Sequence, residues 1–320
     1  MTQQKKLDFF SAFTGMDNPM AKQPLAEVFG FKIDDQSDEA KRYRHDKLCP
    51  YNNIVASCTK DKVNDPLGVC SIYESKGIAI VCPVRFREGW KIVSDAARFL
   101  FPEEVSWTHL SEIRLYDANG KSTGNIDHVL VAYDQNRRVT DFGSLEVQGV
   151  YISGNLRRPF AHFMATAEQG SSFDWSKERN YPSADWLSSS RKRLAPQLLY
   201  KGMILHSWQK KMTVAIDSSF LAELPELPQV SREEADVAWL VYDLKLDDHM
   251  NRFQLIENQV RYTKFKEALD IITQSNPGKV EDFVKVLEKK LKEKLTGTKS
   301  RTVGTDITEL FDGAAVKLDE

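Results

Sequence analysis

The sequence predicts an α/β fold: a central mixed β-sheet flanked by helices, with a small N-terminal four-cysteine metal-binding module. Three observations point there. Strand-like segments joined by tight turns run from Glu112 to Ile152. Helix-like segments precede and follow them. All four cysteines fall between Cys49 and Cys82.

The chain has 320 residues, a length that suits about two domains. Its composition, 41% hydrophobic and 28% charged, is that of a soluble globular protein. A net charge of −2 gives no global basic field, so any surface for nucleic acid must be a local patch. No charged-then-apolar signal segment opens the chain, and no apolar run approaches the roughly 20 residues of a membrane span, so the expected location is cytoplasmic.

In order, residues 1–47 begin polar and then show the apolar residues Phe9, Phe10 and Phe13. A short helix is expected over residues 24–29, followed by Arg42, Arg44 and Lys47 as solvated surface. Cys49, Cys58, Cys70 and Cys82 come next. A reducing cytoplasm disfavours disulfides, so a tetrathiolate site for zinc or iron is the better account. The loops between these cysteines are rich in Asn, Asp, Gly and Pro, and such a clamp would order them. The spacing lacks the paired C-x-x-C of a zinc ribbon, and four incidental thiols are the plainer alternative. Residues 95–100 read as a helix end closed by Pro102.

The strand meander follows. Asn119-Gly120 is a hairpin signal, because a primed turn needs positive φ and both residues tolerate it. It is flanked by residues 113–116 and by the β-branched, apolar run 127–133. A second turn at residues 134–137 leads to strands at 139–142 and 145–152. Side chains two apart on a strand share a face, so Glu146 and Gln148 project together. Asp127, on a neighbouring strand end, can meet them, and Glu112 stands at the head of the hairpin. Close carboxylates repel unless a proton or cation lies between them. Mg²⁺ takes such oxygen ligands, and it activates water and neutralises charge building on a phosphate. That is the chemistry of phosphodiester hydrolysis. Gln148 carries no charge; it can orient the attacking water but not stabilise the pentavalent state as a lysine would. Two look-alikes fall away. Gly120-Lys121-Ser122-Thr123 lacks the first glycine of a phosphate loop, since Leu115 stands there. Asp141-Phe142-Gly143 lacks the His-Arg-Asp loop of a kinase.

Beyond the meander, Arg157 and Arg158 can contact DNA phosphates or simply flank a turn, and they precede a helix over residues 160–167. Residues 175–186 read as loop. Ser190 can cap a helix, and Arg191, Lys192 and Arg193 suit phosphate contact. A helix is expected over 194–205 despite Pro196, with strands at 212–216 and 237–242. From His249 onward the chain reads as helical, with Phe283, Leu287, Leu291 and Leu295 at i+4 spacing. Residues 297–320 read as a tail with a short apolar turn at 307–311.

Taken together, several parts in fixed order resemble the NotI-type restriction endonucleases, a branch of the PD-(D/E)xK nuclease superfamily. They include Cys49-Pro50, Cys58-Thr59-Lys60, Val81-Cys82-Pro83, Ser111-Glu112, Ile126-Asp127-His128, Leu145-Glu146-Val147-Gln148-Gly149, Ser190-Arg191-Lys192-Arg193 and Ala235-Asp236-Val237. The match covers about residues 45–245. The resemblance implies a homodimer that cuts a GC-rich palindrome in duplex DNA with Mg²⁺, and a four-cysteine site holding iron or zinc. It implies metal ligation by Asp127 and Glu146, with Glu112 a further carboxylate and Gln148 the water-orienting amide. A cognate DNA methyltransferase would protect the host without binding this chain. The expected divisions are a cysteine module within 1–95, a PD-(D/E)xK catalytic core over 96–250, and a helical region with tail over 251–320. The competing readings are a DNA-binding protein on an inactive nuclease fold and a repair nuclease of the same fold.

Overall fold

The computed structural model of the chain describes residues 23–62, 64–75, 77–166, 173–275 and 277–296. Phe9, Phe10, Phe13, Ala167 and the expected tail at 297–320 lie outside them. The chain divides into two compact units, residues 1–273 and 274–320.

The first unit opens with an antiparallel sheet of β1 (Leu25–Val28), β2 (Phe31–Lys32), β3 (Val69–Glu74) and β4 (Gly77–Ile80), in the order β2-β1-β3-β4. The helix expected over residues 24–29 is therefore strand β1. Val28 faces Phe31, and the loop between them, Phe29-Gly30, has positive φ at both residues. That is the primed two-residue hairpin, and a buried partner strand overrides the weak helical preference of so short a segment. Helix α1 (Asp38–His45) follows, its N-terminus capped by Ser37, whose Oγ accepts from the Ala40 N–H. Arg44, expected on the surface, is buried and donates to the carbonyls of Asp35 and Lys32.

Helix α2 (Lys91–Leu100) precedes the strands that carry the acids: β5 (Trp107–Tyr116), β6 (Ser122–Tyr133) and β7 (Val139–Val147). The β5–β6 turn is closed by Asp117, whose Oδ1 accepts from the N–H groups of Asn119 and Lys121, both at 2.8 Å. Asp134 closes the β6–β7 turn in the same way. The two strands expected at 139–142 and 145–152 form one strand, β7, and a short pair, β8 (Ile152–Ser153) with β9 (Ser183–Ala184). Helix α3 (Arg157–Thr166) lies between these two.

A continuous helix over residues 186–207, α4, contains Pro196 and two wider π turns. Ala195 N–H reaches Ser190 O, and Met203 N–H reaches Leu198 O, five residues back in each case. Proline has no N–H and crowds the carbonyl four residues earlier, and widening the turn relieves that crowding. Then come β10 (Met212–Asp217), α5 (Ser218–Glu223), β11 (Val237–Asp247) and β12 (Arg252–Thr263).

The six-stranded sheet runs β12-β11-β10-β7-β6-β5. β10 is parallel to both β7 and β11 and is buried throughout, as a central parallel strand should be. Strand β12 replaces the start of the helix expected from His249. Phe253 and Leu255 alternate inward there, a period of two, and helix begins only with α6 (Phe265–Thr273). Packing on the two faces follows the same alternation. Leu145, Val147, Ala215 and Leu240 meet α2 on one face. Val214, Ile216 and Trp239 meet Leu194, Leu198 and Phe265 on the other. The result is a central mixed sheet flanked by helices.

Buried Arg85 joins the small sheet to the large one. Its Nε donates to Glu27 at 3.0 Å, its Nη2 donates to the Phe253 carbonyl on β12, and its guanidinium lies over the Tyr51 ring. In the second unit the described element is α7 (Val280–Leu295), whose Phe283, Leu287, Leu291 and Leu295 are exposed. Among the described residues no helix is long and apolar enough to cross a membrane.

Candidate active site

Glu112, Asp127 and Glu146 form a row across β5, β6 and β7. The β5–β6 register pairs Ser111 with His128 and Ile113 with Ile126, which leaves Glu112 opposite Asp127. The β6–β7 register pairs His128 with Leu145, so the next position sets Asp127 opposite Glu146. Directly opposed residues share a sheet face. Glu112 has a left-handed backbone (φ 57°) inside β5, a conformation strained for a side chain of this kind. Asn125 Nδ2 donates to its Oε2 at 3.4 Å.

Asp127 Oδ2 accepts from the Val147 N–H at 2.8 Å, which ties the second acid to the end of β7. Burial raises the Asp127 carboxyl above its ordinary range, and Glu112 adds to the rise. Glu146 is fully buried, and burial together with Asp127 pushes it up to about 8. Its Oε2 accepts from Lys201 Nζ at 2.6 Å, while its Oε1 is buried with no hydrogen-bond partner. Gln148, 1% exposed, continues β7 by donating its backbone N–H to Ala215 O, and its Nε2 donates to Gln197 Oε1. The expectation that Glu146 and Gln148 project together fits these contacts, since both meet α4.

Above the acids opens a cavity of about 430 Å³. Glu112, Asp127, His128 and Val147 form one wall. Asn52, Ile54, Val55, Thr59 and Lys60, from the loop that carries Cys49 and Cys58, form the other, with Cys82, Pro83, Val84 and Arg87 between. Glu146 and Gln148 are buried and are not among the residues that line this cleft. His128 is held neutral, lowered to about 4 by burial and by Arg87, with Nδ1 3.0 Å from Ser111 Oγ.

The cysteines lie close enough to raise one another. Burial lifts Cys49 to about 11, with Cys82 and Cys58 adding, and the Tyr51 and Asn52 backbones act in the opposite sense. Burial likewise raises Cys58 and Cys70, with Cys82 adding to both. Cys70 Sγ donates to the Gly68 carbonyl at 3.7 Å. Among the described residues no three His, Cys, Asp or Glu side chains stand already gathered around a metal position, at the thiols or at the acids.

The basic residues expected at DNA divide into two sets. Arg157 is bound to Asp61 and, at 2.8 Å, Asp65, and Arg158 pairs with Glu178 at 2.6 Å and lies over Trp175. Their charge is compensated within the chain. Arg191 and Lys192 are exposed on the first π turn of α4, and Arg193 lies over the Tyr151 ring. Lys201 was not expected from the sequence. It stands 55 residues beyond Glu146, and only the phase of α4 brings it in. Pro196 inside a helical pattern is the one local sign that this phase is unusual.

None of the curated proteins compared matches the chain. A family model does match, that of the restriction endonuclease NotI, over residues 27–255. The match takes in most of both sheets, the cysteines, the row of acids and α4, and it spans well over half of the sequence. The chain belongs to the NotI restriction endonuclease family and is a site-specific deoxyribonuclease acting on double-stranded DNA.

Proposed function

We propose that this type II restriction endonuclease cuts both strands of a GC-rich palindrome as a Mg²⁺-dependent homodimer, on a PD-(D/E)xK core within residues 96–250. The observation that carries the reading is the buried carboxyl of Glu146, whose Oε1 has no hydrogen-bond partner and which Asp127 is near enough to raise. A buried carboxylate oxygen without a donor is costly, and a hard cation satisfies it. The acids fit Mg²⁺ in chemistry: Asp127 and Glu146 would hold it, with Glu112 across from Asp127 as a further carboxylate. Mg²⁺, when bound, activates water and neutralises charge on the phosphate. Gln148, fixed by Gln197, orients the water by its carboxamide. Arg191, Lys192 and Arg193 contact phosphates, with Arg157 and Arg158 in lesser roles because acids already hold them. A two-fold DNA site calls for a two-fold protein, which supports the dimer.

The N-terminal region 1–95 is the cysteine module in this reading, with zinc or iron held by Cys49, Cys58, Cys70 and Cys82. The donors suit a thiolate site: Cys82 is near enough to act on Cys49, Cys58 and Cys70, and the Tyr51 and Asn52 backbones favour the charged form of Cys49. Residues 251–320 are the C-terminal helical region and tail in this reading, preceded within that span by β12 of the central sheet. A companion methyltransferase protects host DNA.

The reading is tested with Asp127→Asn and Glu146→Gln. Each is expected to lower cleavage by on the order of 1,000-fold, the scale on which such metal-ligating carboxylates act, while DNA affinity in Ca²⁺ stays unchanged. Normal cutting by either variant would falsify the assignment.

A further inference from the structure

We propose that Lys201 is a positioning residue for cleavage: from the second π turn of α4, its ammonium holds one oxygen of Glu146 so that the other faces Asp127. The inference rests on the reading of Glu146 as a metal ligand.

Three observations support it. Lys201 Nζ donates to Glu146 Oε2 at 2.6 Å and to the Asn125 carbonyl at 2.8 Å, so the ammonium bridges β6 and β7 on either side of Asp127. Lys201 is 5% exposed, and a lysine is seldom buried unless something specific holds it. One helical turn earlier on α4, Gln197 holds the Gln148 carboxamide. The helix thus places one polar side chain on each of the two polar residues that end β7. The π turn is the local cause. Met203 N–H bonds to Leu198 O rather than to the carbonyl of Leu199, and that widened turn contains Lys201. Regular backbone is given up at the point where the contact is made, a frequent feature of functional positions.

A charged donor matters here because β7 itself supplies none. Gln148 can orient by hydrogen bonding but brings no positive charge. A hydrogen bond to an ionised group is stronger and more directional than one between neutral groups. With Oε2 held by Lys201, the oxygen of Glu146 left for a metal is Oε1, which is buried and has no hydrogen-bond partner.

The experiment compares Lys201→Arg, Lys201→Met and Lys201→Gln in the full chain. Single-turnover cleavage at saturating Mg²⁺ is expected to fall by about 100-fold in Met and in Gln, the size of effect that a misplaced catalytic group produces. Arg, which keeps charge and donors, is expected within about tenfold of wild type. DNA affinity in Ca²⁺ stays level in all three. A second readout needs neither DNA nor turnover. The rise in melting temperature that Ca²⁺ gives the free protein is expected to persist in Arg and shrink in Gln and Met. Gln keeps a donor without charge, so it also serves if Met does not fold. Cleavage by Gln within about threefold of wild type overturns the proposal, and so does an Arg variant as inactive as Gln. Glu146→Gln separates the two readings. If it cuts normally, the ligand assignment itself fails. If it is inactive while Lys201→Gln cuts normally, only the role of Lys201 fails.

Discussion

Burying Glu146 beside Asp127 carries an electrostatic cost that a cation removes. Burial raises both carboxyls, Glu112 adds to the rise of Asp127, and Asp127 adds to that of Glu146, which reaches about 8. A carboxyl raised in the folded state contributes stability that is full below its ordinary value, 4.5 for glutamate, and is lost as pH climbs through about 8. The metal-free protein is therefore expected to melt at lower temperature at about pH 9 than at about pH 6, and Mg²⁺ should narrow the gap, because metal binding displaces protons from its ligands. At limiting Mg²⁺ the cleavage rate should rise over the same interval and flatten once Mg²⁺ saturates. Calorimetry and initial rates across pH check both, and a rate indifferent to pH at limiting Mg²⁺ would remove these acids from metal binding. Glu112, Asp127, Glu146 and Gln148 were readable as a set because hairpin spacing and the two-residue period of a strand are local rules. Lys201 was not, because its contact depends on the rotation of a helix that the sequence places far downstream.

Elements were legible where burial and local preference agree. The β5–β6 hairpin, α2, β10 and β11 lie close to where the pattern set them. Strand β1 and the start of β12 did not, and both are held by partner strands rather than by their own preferences: β1 by β3, and β12 by eleven consecutive residues of β11. Helix α4 shows the converse. Its existence was expected, but not the two wide turns around Pro196. Replacing Pro196 by alanine restores an N–H and removes the crowding that proline imposes, so the regular helix gains by up to about 3 kcal/mol. The expected outcome is a higher melting temperature with slower single-turnover cleavage, because Gln197 and Lys201 are brought to β7 by the irregular turns. A variant both more stable and equally active would show that those turns are incidental to cutting.

At the scale of the molecule, the cleft belongs to two sheets. Glu112 and Asp127 line it on one side, and residues of the loop that carries Cys49 and Cys58 line it on the other. Buried Arg85 spans the same divide, from Glu27 to the Phe253 carbonyl. Removing one partner of a buried ion pair typically costs about 3–5 kcal/mol, so the two sheets are expected to unfold together. The clustering of the cysteines in sequence was legible, but the place of Cys82 and of the loop between Cys49 and Cys58 along the cleft was not, since it follows from tertiary packing. Purified protein should contain about one thiolate-bound ion per chain, the stoichiometry of a closed four-sulfur site, and Cys70→Ser should lose it, melt earlier and stop cutting. Four thiols that react freely in a metal-free, fully active preparation would end that reading. The shared wall also bears on safety. A nuclease whose recognition surface could drop away from intact blades would scar its own chromosome whenever it was damaged. If DNA enters by the cleft that Glu112 and Asp127 share with residues of the thiol-bearing loop, oxidative injury to that loop should silence the enzyme before it can become indiscriminate.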